Sequence, residues 1–413
     1  MSRSAAALKA LRLLWPLGLL LAVCAVLVAP RVETRPYHGS DELGYFCYLP
    51  ALFQGRPFDL KELEAAARPD ILKSRRPGQV RFATNWGLGT ALGWLPFYAI
   101  GRVMNPDCPP DAPPLWQACA VGTVLLALAG IAFLYLALNR LFPRWVAAVA
   151  AGSALLATPL IAYVTMDPFM SHHFTFALAS LLLWLVLTRD QERCLTWLAL
   201  GATCGLLAAT RPQLIVFALL PLALHFPKPR YLAVFLAATL LAFFPQMLMW
   251  RMTYGHWLVN ASRPGYLGRP ALLQVLFSPR HGLFLWHPLL LVGLAGLVAL
   301  ARRPGLRRLA VAGLIVFAAQ VVINAMPRDW WGNASFGARR FCGTLPLLSL
   351  GLAYALSRLP WLAAAPALAT YWNFGLLWAL SSQSNAGRPL FTTNDPLTVE
   401  TARWVLWHLL FFV

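Results

Sequence analysis

Runs of about 20 consecutive apolar residues recur from one end of this chain to the other, and they leave little choice of fold. A run of that length matches the hydrocarbon thickness of a bilayer when it is helical. The composition agrees: 59% of the 413 residues are hydrophobic and 12% are charged, with a mean hydropathy of +0.62. No soluble domain is this apolar throughout. The sequence therefore predicts an all-α polytopic membrane protein.

The formal charge is +19. The arginines stand in short caps between apolar runs and form no long basic tract. That is the pattern of membrane orientation, and it argues against a nucleic-acid partner. Seven cysteines show no CxxC spacing, so neither metal nor redox work is expected of them. Cys47 and Cys108 share one hydrophilic segment and read as free thiols, with pairing open to them if that segment is extracytoplasmic. Arg3, Lys9 and Arg12 precede an apolar run from Leu13 to Ala29, as in a signal peptide. Pro16 and the lack of a small-x-small site favour a retained signal anchor.

Spans are expected near 13–30, 115–138, 145–164, 173–188, 195–210, 212–226, 231–250, 283–301, 308–326, 341–357 and 360–380. A half-span follows at 404–413. The run 195–226 would be about 48 Å long as one helix, so Thr210-Arg211-Pro212 should break it into two legs. Basic clusters fall at Arg140/Arg144, Arg189/Arg193, Lys228/Arg230, Arg302/Arg303/Arg307/Arg308 and Arg358. They alternate with nearly uncharged connections, which places the clusters in the cytoplasm. The basic N-terminus fits only if 86–104, interrupted by Gly87, Gly89, Gly93 and Pro96, does not cross and is instead interfacial or re-entrant. Residues 31–114 then form one large extracytoplasmic loop within a single integral-membrane domain, with no soluble C-terminal domain. Nearly all the polar chemistry falls on the outer loops.

Four stretches there carry candidate chemistry. In "HGSDELGYFCYLPALFQG", residues 38–55, Ser40 reads as an N-cap, with Asp41 and Glu42 in the first turn and helical spacing up to Pro50. Helix-start acids commonly do no more than complement the macrodipole. The functional reading is a carboxylate held at the membrane surface to accept a proton. Asp41, Tyr45 and Tyr48 share a face suited to a sugar, while Leu43, Phe46 and Phe53 are free to dip into lipid. In "YVTMDPFMSHHFTF", residues 163–176, Asp167-Pro168 reads as an N-cap with proline at the first helical position, or as a second acid lining an outer cavity. His172 and His173 are adjacent and point apart, which does not suit a metal.

"FSPRHGLFLWHPLLL", residues 277–291, puts Arg280 and His281 before a span, as a snorkelling anchor or an anion clamp. "PRDWWGNASFGARRFCG", residues 327–343, has Trp330 and Trp331 as belt or ligand aromatics. Gly332 and Gly337 bracket the loop that leads into Arg339-Arg340. Outside, these arginines are not needed for orientation, and an anion is their natural partner.

Taken in order, "SDELGYFCYLPAL", "NWGLGTALGWLPFYAIG", "ATRPQLIVFALLP", "SPRHGLFLWHPLLL" and "DWWGNASFGARRF" resemble the bacterial integral-membrane glycosyltransferases of the C-type fold. These are relatives of the protein O-mannosyltransferases and of the lipid A aminoarabinose transferase. The resemblance covers most of residues 1–380. It implies a polyprenyl-phosphate sugar donor bound from the outer leaflet of a bacterial cytoplasmic membrane. It also implies an acceptor hydroxyl on an envelope glycan, lipid or protein, and an inverting, metal-independent transfer without cofactor. The first-loop acid of the family matches Asp41, with Glu42 a near competitor. The second-loop acid matches Asp167 more loosely, and the arginine after the paired short spans matches Arg211. No DxD-type pair is present. A base for the acceptor and cations for the departing phosphate suffice, because phosphate leaves without an acid. Arg280, Arg339 and Arg340, helped by His281, are the expected phosphate binders. Tyr45, Tyr48, Trp330 and Trp331 are the expected acceptor or sugar contacts. Against this stand a flippase for a lipid-linked sugar, which needs a polar path through the spans, and a non-catalytic scaffold, which needs neither Asp41 nor the arginines.

Overall fold

The computed structural model describes residues 40–59, 86–188, 190–259, 266–333, 335–383, 397–398, 401–403 and 405. The predicted first span at 13–30, residues 60–85 and 384–396, and the half-span at 404–413 apart from Val405 lie outside the described residues. In chain order the helices are α1 (Ser40–Phe46), α2 (Tyr48–Phe53), α3 (Gly89–Met104), α4 (Pro113–Leu138), α5 (Arg144–Leu156) and α6 (Leu160–Thr165). Then come α7 (His172–Thr188), α8 (Cys194–Thr210), α9 (Leu219–His225), α10 (Pro229–Tyr254) and α11 (Leu272–Phe277). The remainder are α12 (Leu283–Trp286), α13 (Leu289–Leu300), α14 (Arg307–Ala325), α15 (Leu345–Arg358) and α16 (Ala364–Gln383). Short 3-10 turns at Pro212–Ala218, Pro304–Leu306, Arg339–Thr344 and Pro360–Ala363 lead into α9, α14, α15 and α16. Among the described residues the only extended pairing is an isolated bridge between Leu267 and Pro327.

Among the described residues three stretches are long and apolar enough to cross a bilayer unaided: Pro113–Leu138, Pro229–Tyr254 and Pro304–Ala325. Several of the other expected spans are interrupted among the described residues, and proline stands at the breaks. The run expected at 145–164 splits between α5 and α6 around Pro159, and the run at 283–301 splits around Pro288. A proline removes one helical donor and leaves carbonyls unsatisfied, which hydrocarbon does not forgive. Two neighbours on α16 repair both breaks. Asn373 Nδ2 donates to the carbonyls of Leu156 and Thr158, each at 2.9 Å, and Trp372 Nε1 donates to that of Trp286 at 3.0 Å. The division at Arg211-Pro212 is where the sequence puts it, although the second leg begins as a 3-10 helix.

Helices α8 and α10 pack tightly because Gly201 and Gly205, one turn apart on α8, admit the α10 backbone. A Cβ at either would collide with the carbonyl of Phe235 or Thr239. Small residues at this spacing are a usual means of joining helices in lipid, where no hydrophobic drive exists.

Helix α3 is 16 residues long, about 24 Å, which is short of a full span. One side of it is clamped into the protein: Trp94 and Tyr98 are fully buried, and Trp94 Nε1 donates to Thr123 Oγ1 of α4 at 2.9 Å. Ile100, Val103 and Met104 remain exposed. The first loop departs from expectation in two places. The helical run does not end at Pro50; it turns at Cys47 and continues to Phe53, with Pro50 early in α2, where its missing N–H costs least. Leu43 and Phe46 face protein rather than lipid, and Phe46 sits edge-on to Tyr98 and Phe169, at centroid distances of 6.1 and 6.0 Å. Cys47 and Cys108 are both free thiols.

Candidate functional site

Helix α1 holds Asp41 and Glu42 in its first turn, where the helix dipole favours negative charge. The aromatic packing of Phe46 fixes its roll, and Tyr45 stands edge-on to Trp86, 6.4 Å between centroids. Tyr48 donates its hydroxyl to the Trp86 carbonyl at 3.0 Å, so its polar tip ties the loop together instead of facing a ligand. Held this way, Asp41 Oδ2 meets Arg339 Nη2 at 2.9 Å, with side-chain exposures of 25% and 10%. An acid from the start of the chain and an arginine from near its end thus form one ion pair. Glu42, in the same turn, is half-buried, and the bond to Arg339 is Asp41's.

Arg339 opens the 3-10 turn before α15. Its Nη2 also donates to the Gly332 carbonyl at 3.0 Å, and its Nη1 meets only the thioether of Met170, at 3.8 Å. Burial works against its charge, but Asp41 and then Tyr163 and Asp167 outweigh that, and the guanidinium pKa is raised above its ordinary value. Arg340 takes a different partner: its Nη2 lies 3.1 Å from Asp329 Oδ1 and donates to the Tyr266 hydroxyl at 3.3 Å. Arg340 Nη1 is buried without a hydrogen-bond partner.

The loop presenting these arginines is pinned at several points. Arg328 N donates to the Tyr266 carbonyl at 2.9 Å and Gly268 N to the Met326 carbonyl at 2.8 Å. Phe336 N donates to the Tyr163 hydroxyl of α6 at 2.7 Å. Gly332 and Gly337 both have positive φ, +83° and +56°, and a Cβ on Gly337 would run into the His287 ring. The two glycines expected to bracket the loop are there for backbone reasons.

Arg280 lays its guanidinium over Trp331, 4.0 Å from the ring centroid, with its Nε buried and without a partner. Trp330 stands edge-on to Trp331, centroids 5.7 Å apart. His281 is buried with φ +61°, and its Nδ1 is 2.9 Å from the Trp331 carbonyl. A carbonyl only accepts, so Nδ1 carries the proton. Burial pushes the His281 pKa down to about 4, with Arg339 and Arg280 adding to the drop and the Trp331 carbonyl opposing it. His281 is therefore neutral near pH 7. Through the Nδ1 bond it holds the tryptophan loop as a neutral side chain.

Asp167 is buried in the turn between α6 and α7. It is not an N-cap, because α7 begins only at His172. The chain first closes α6 with Met166 N and Asp167 N both donating to the Ala162 carbonyl, at 2.8 and 3.0 Å. Thr123 Oγ1 then fixes the turn by donating to the Pro168 carbonyl at 2.7 Å. His172 packs on Tyr163 and His173 stacks on Trp94, so the two rings do diverge. Arg211, at the break after α8, donates its Nε to Ser171 Oγ at 3.2 Å. His172 feels the charges of Arg211, Arg339 and Arg340 together. The structure thus gathers Asp41, Asp167, Arg211, Arg339 and Arg340 around one centre, with Arg280 and the tryptophans on its flank. Among the described residues no group of three His, Cys, Asp or Glu side chains is placed to hold a metal.

Sequence reasoning missed Tyr163, Met170, Tyr266 and Asp329. Tyr163, Met170 and Asp329 lie inside the quoted stretches, but nothing local to them signals a contact with a distant arginine. Tyr266 has no local pattern; only the Leu267–Pro327 bridge brings it in.

No protein-family model matches the sequence, and no curated protein is similar to it. Among solved structures, the fold is similar to that of ArnT from Cupriavidus metallidurans in the apo state, with TM-score 0.53 and 17% identity. The match covers 94% of this chain and 68% of ArnT. ArnT bound to undecaprenyl phosphate gives 0.49 at 16% identity, over 95% of this chain and 76% of that one. The Archaeoglobus fulgidus oligosaccharyltransferase tethered with an acceptor peptide gives 0.47 at 14% identity, over 94% and 60%. The apo ArnT likeness shows the fold: the chain shares the all-helical architecture of that protein, and three of its described stretches are long and apolar enough to cross a bilayer.

Proposed function

We propose that this protein transfers a sugar from a polyprenyl-phosphate donor to the hydroxyl of an envelope glycan, lipid or protein acceptor. The reaction takes place at the outer face of a bacterial cytoplasmic membrane. One observation carries the reading: Asp41 and Arg339, chosen separately from sequence as base and phosphate binder, meet at 2.9 Å in a shielded site. Arg340 Nη1, buried without a partner, and Arg339 Nη1, which touches only a sulfur, offer guanidinium donors to a phosphate. Arg211 and Arg280 lie to either side. Asp41 takes the proton of the acceptor hydroxyl as its oxygen attacks the anomeric carbon from the face opposite the phosphate, inverting that centre. The C–O bond to phosphate breaks, and the arginines carry the charge that develops on the leaving group. Asp167 supports the charge of Arg339 from the second loop. Trp330, Trp331 and Tyr45 form the aromatic side of the site. No step in this scheme calls for a metal.

The test is transfer rate with saturating donor in reconstituted membranes. Asp41→Asn keeps the shape and removes the base, and turnover should fall roughly 10²–10⁴-fold. Near-wild-type turnover for Asp41→Asn with a collapse for Glu42→Gln moves the base by one residue. Near-wild-type turnover for both removes the first loop from the chemistry.

A further inference from the structure

The ion pair poses a difficulty for any enzyme that needs both partners. A base must offer a lone pair to the acceptor, and a phosphate clamp must offer its donors to the phosphate. Here each is engaged by the other.

The surroundings of Arg339 sharpen the problem. Nη2 has two oxygens against it, Asp41 Oδ2 in an ion pair at 2.9 Å and the Gly332 carbonyl in a hydrogen bond at 3.0 Å. A guanidinium grips phosphate with two parallel N–H bonds, from its Nη1/Nη2 edge or its Nε/Nη2 edge. Both edges include Nη2. A two-pronged grip therefore has to displace either the carbonyl or the carboxylate. Gly332 is fixed by its loop, which His281, Tyr163 and the Leu267–Pro327 bridge tie down. Asp41 reaches Arg339 through a side chain that is 25% exposed, whereas Gly332 offers backbone, so Asp41 is the group that yields. Meanwhile Nη1 rests on the Met170 thioether, a weak acceptor that a phosphate oxygen outcompetes.

We propose that the Asp41–Arg339 pair is a latch opened by the donor itself: the phosphate takes the Arg339 fork, Asp41 is released to the acceptor only then, and binding is ordered, donor first. This rests on the transferase reading above and adds the regulation of that same site. No proton changes hands in the exchange; one anion replaces another on the guanidinium. Without donor, Asp41 stays tied and no acceptor is activated. By linkage, whatever affinity the donor loses in opening the latch is regained when an acceptor holds Asp41 open.

The latch predicts a gain where a plain base predicts nothing. Polyprenyl phosphate is titrated into full-length protein in phosphatidylcholine nanodiscs, and its dissociation constant is measured by thermophoresis. Asp41→Asn should bind it about five-fold more tightly than wild type or better, the lower end of coupling between linked groups. Glu42→Gln removes the same charge from the same helical turn and should change affinity by less than about two-fold, since it does not hold Arg339. In an Arg339→Lys background the gain from Asp41→Asn should disappear, because an ammonium makes no fork. Asp41→Ser, smaller and neutral, is measured alongside in case the asparagine misfolds. Equal affinity for wild type and both Asp41 variants overturns the latch, as does equal tightening by Glu42→Gln, which would mark a general field effect. Either result leaves the transferase reading intact if Asp41→Asn still abolishes turnover. Failure of wild type and every variant to bind polyprenyl phosphate overturns the transferase reading and the latch with it.

Discussion

The two ends of α7 carry the same kind of ion pair in opposite surroundings. Near its start, Asp41–Arg339 and Arg340–Asp329 have side-chain exposures of 10–25%. Beyond its other end, about 25 Å away along a 17-residue helix, Asp190–Arg193 and Glu192–Lys228 are 53–76% exposed. Water screens the second set, and its side chains give up rotational freedom to meet, so such pairs add little stability. The first set is walled in by packed aromatics and a pinned loop, where each charge depends on its partner. Under the proposed function the exposed set serves the orientation of the chain and the shielded set serves the site.

That difference is open to direct test, beginning where the effect is largest. Arg339→Ala leaves Asp41 without its cation in a mostly buried place, and unfolding in detergent should register a loss of about 3 kcal/mol. A loss near zero would mean that the pair is as well solvated as those at the far end. Arg340→Ala is expected to cost less, about 1–2 kcal/mol, because Asp329 keeps a second donor in Asn333 Nδ2 at 3.1 Å.

His281 gives the same comparison a pH axis. Its folded pKa of about 4 lies below the ordinary value of 6.5, so the unfolded chain binds the extra proton first. The His281 contribution is complete above about pH 6.5 and is lost progressively as pH falls toward 4. Melting curves of wild type and His281→Asn should differ in slope across that window and run parallel above it. Parallel curves throughout would mean that the imidazole is wet.

Labelling tests which end faces out. Asn333→Cys is the right probe in the motif loop, because Asn333 is exposed whereas its neighbour Ser335 is buried. It should react with an impermeant maleimide in intact cells. Gly305→Cys, exposed in a basic connection, should react only after permeabilisation. The reverse pattern would invert the topology.

The long apolar helices Pro113–Leu138, Pro229–Tyr254 and Pro304–Ala325 were legible in the sequence because apolar length is local and needs no tertiary knowledge. The broken spans were less so. Pro159 and Pro288 announce a break, but whether a helix survives it depends on a distant donor, here Trp372 and Asn373 on α16. In the site, the chemical types of Asp41, Arg339 and Arg340 could be read, while their pairing could not, since it joins opposite ends of the chain. Leu43 and Phe46 were misplaced for a related reason. In a membrane protein, an apolar residue beside the bilayer packs equally well on lipid or protein, and periodicity does not choose between them.

The smallest expected effect belongs to Lys228. Its Nζ is 2.9 Å from Glu192 Oε2, as good a distance as that of Arg339 to Asp41, with exposures of 62% and 65%. Tyr231 also reaches Glu192, donating its hydroxyl to the backbone carbonyl. The Lys228 and Arg230 side chains hold the Glu192 carboxyl below its ordinary pKa, Lys228 most of all, yet the charge stays solvated when its partner is removed. Lys228→Ala should leave the melting temperature within error of wild type, and added salt should not change that, because there is little attraction left to screen. A clear drop at low salt that disappears at high salt would show that the exposed pair does hold the helix connection together. Distance alone would then predict strength at both ends of α7, and shielding would no longer set the two sites apart.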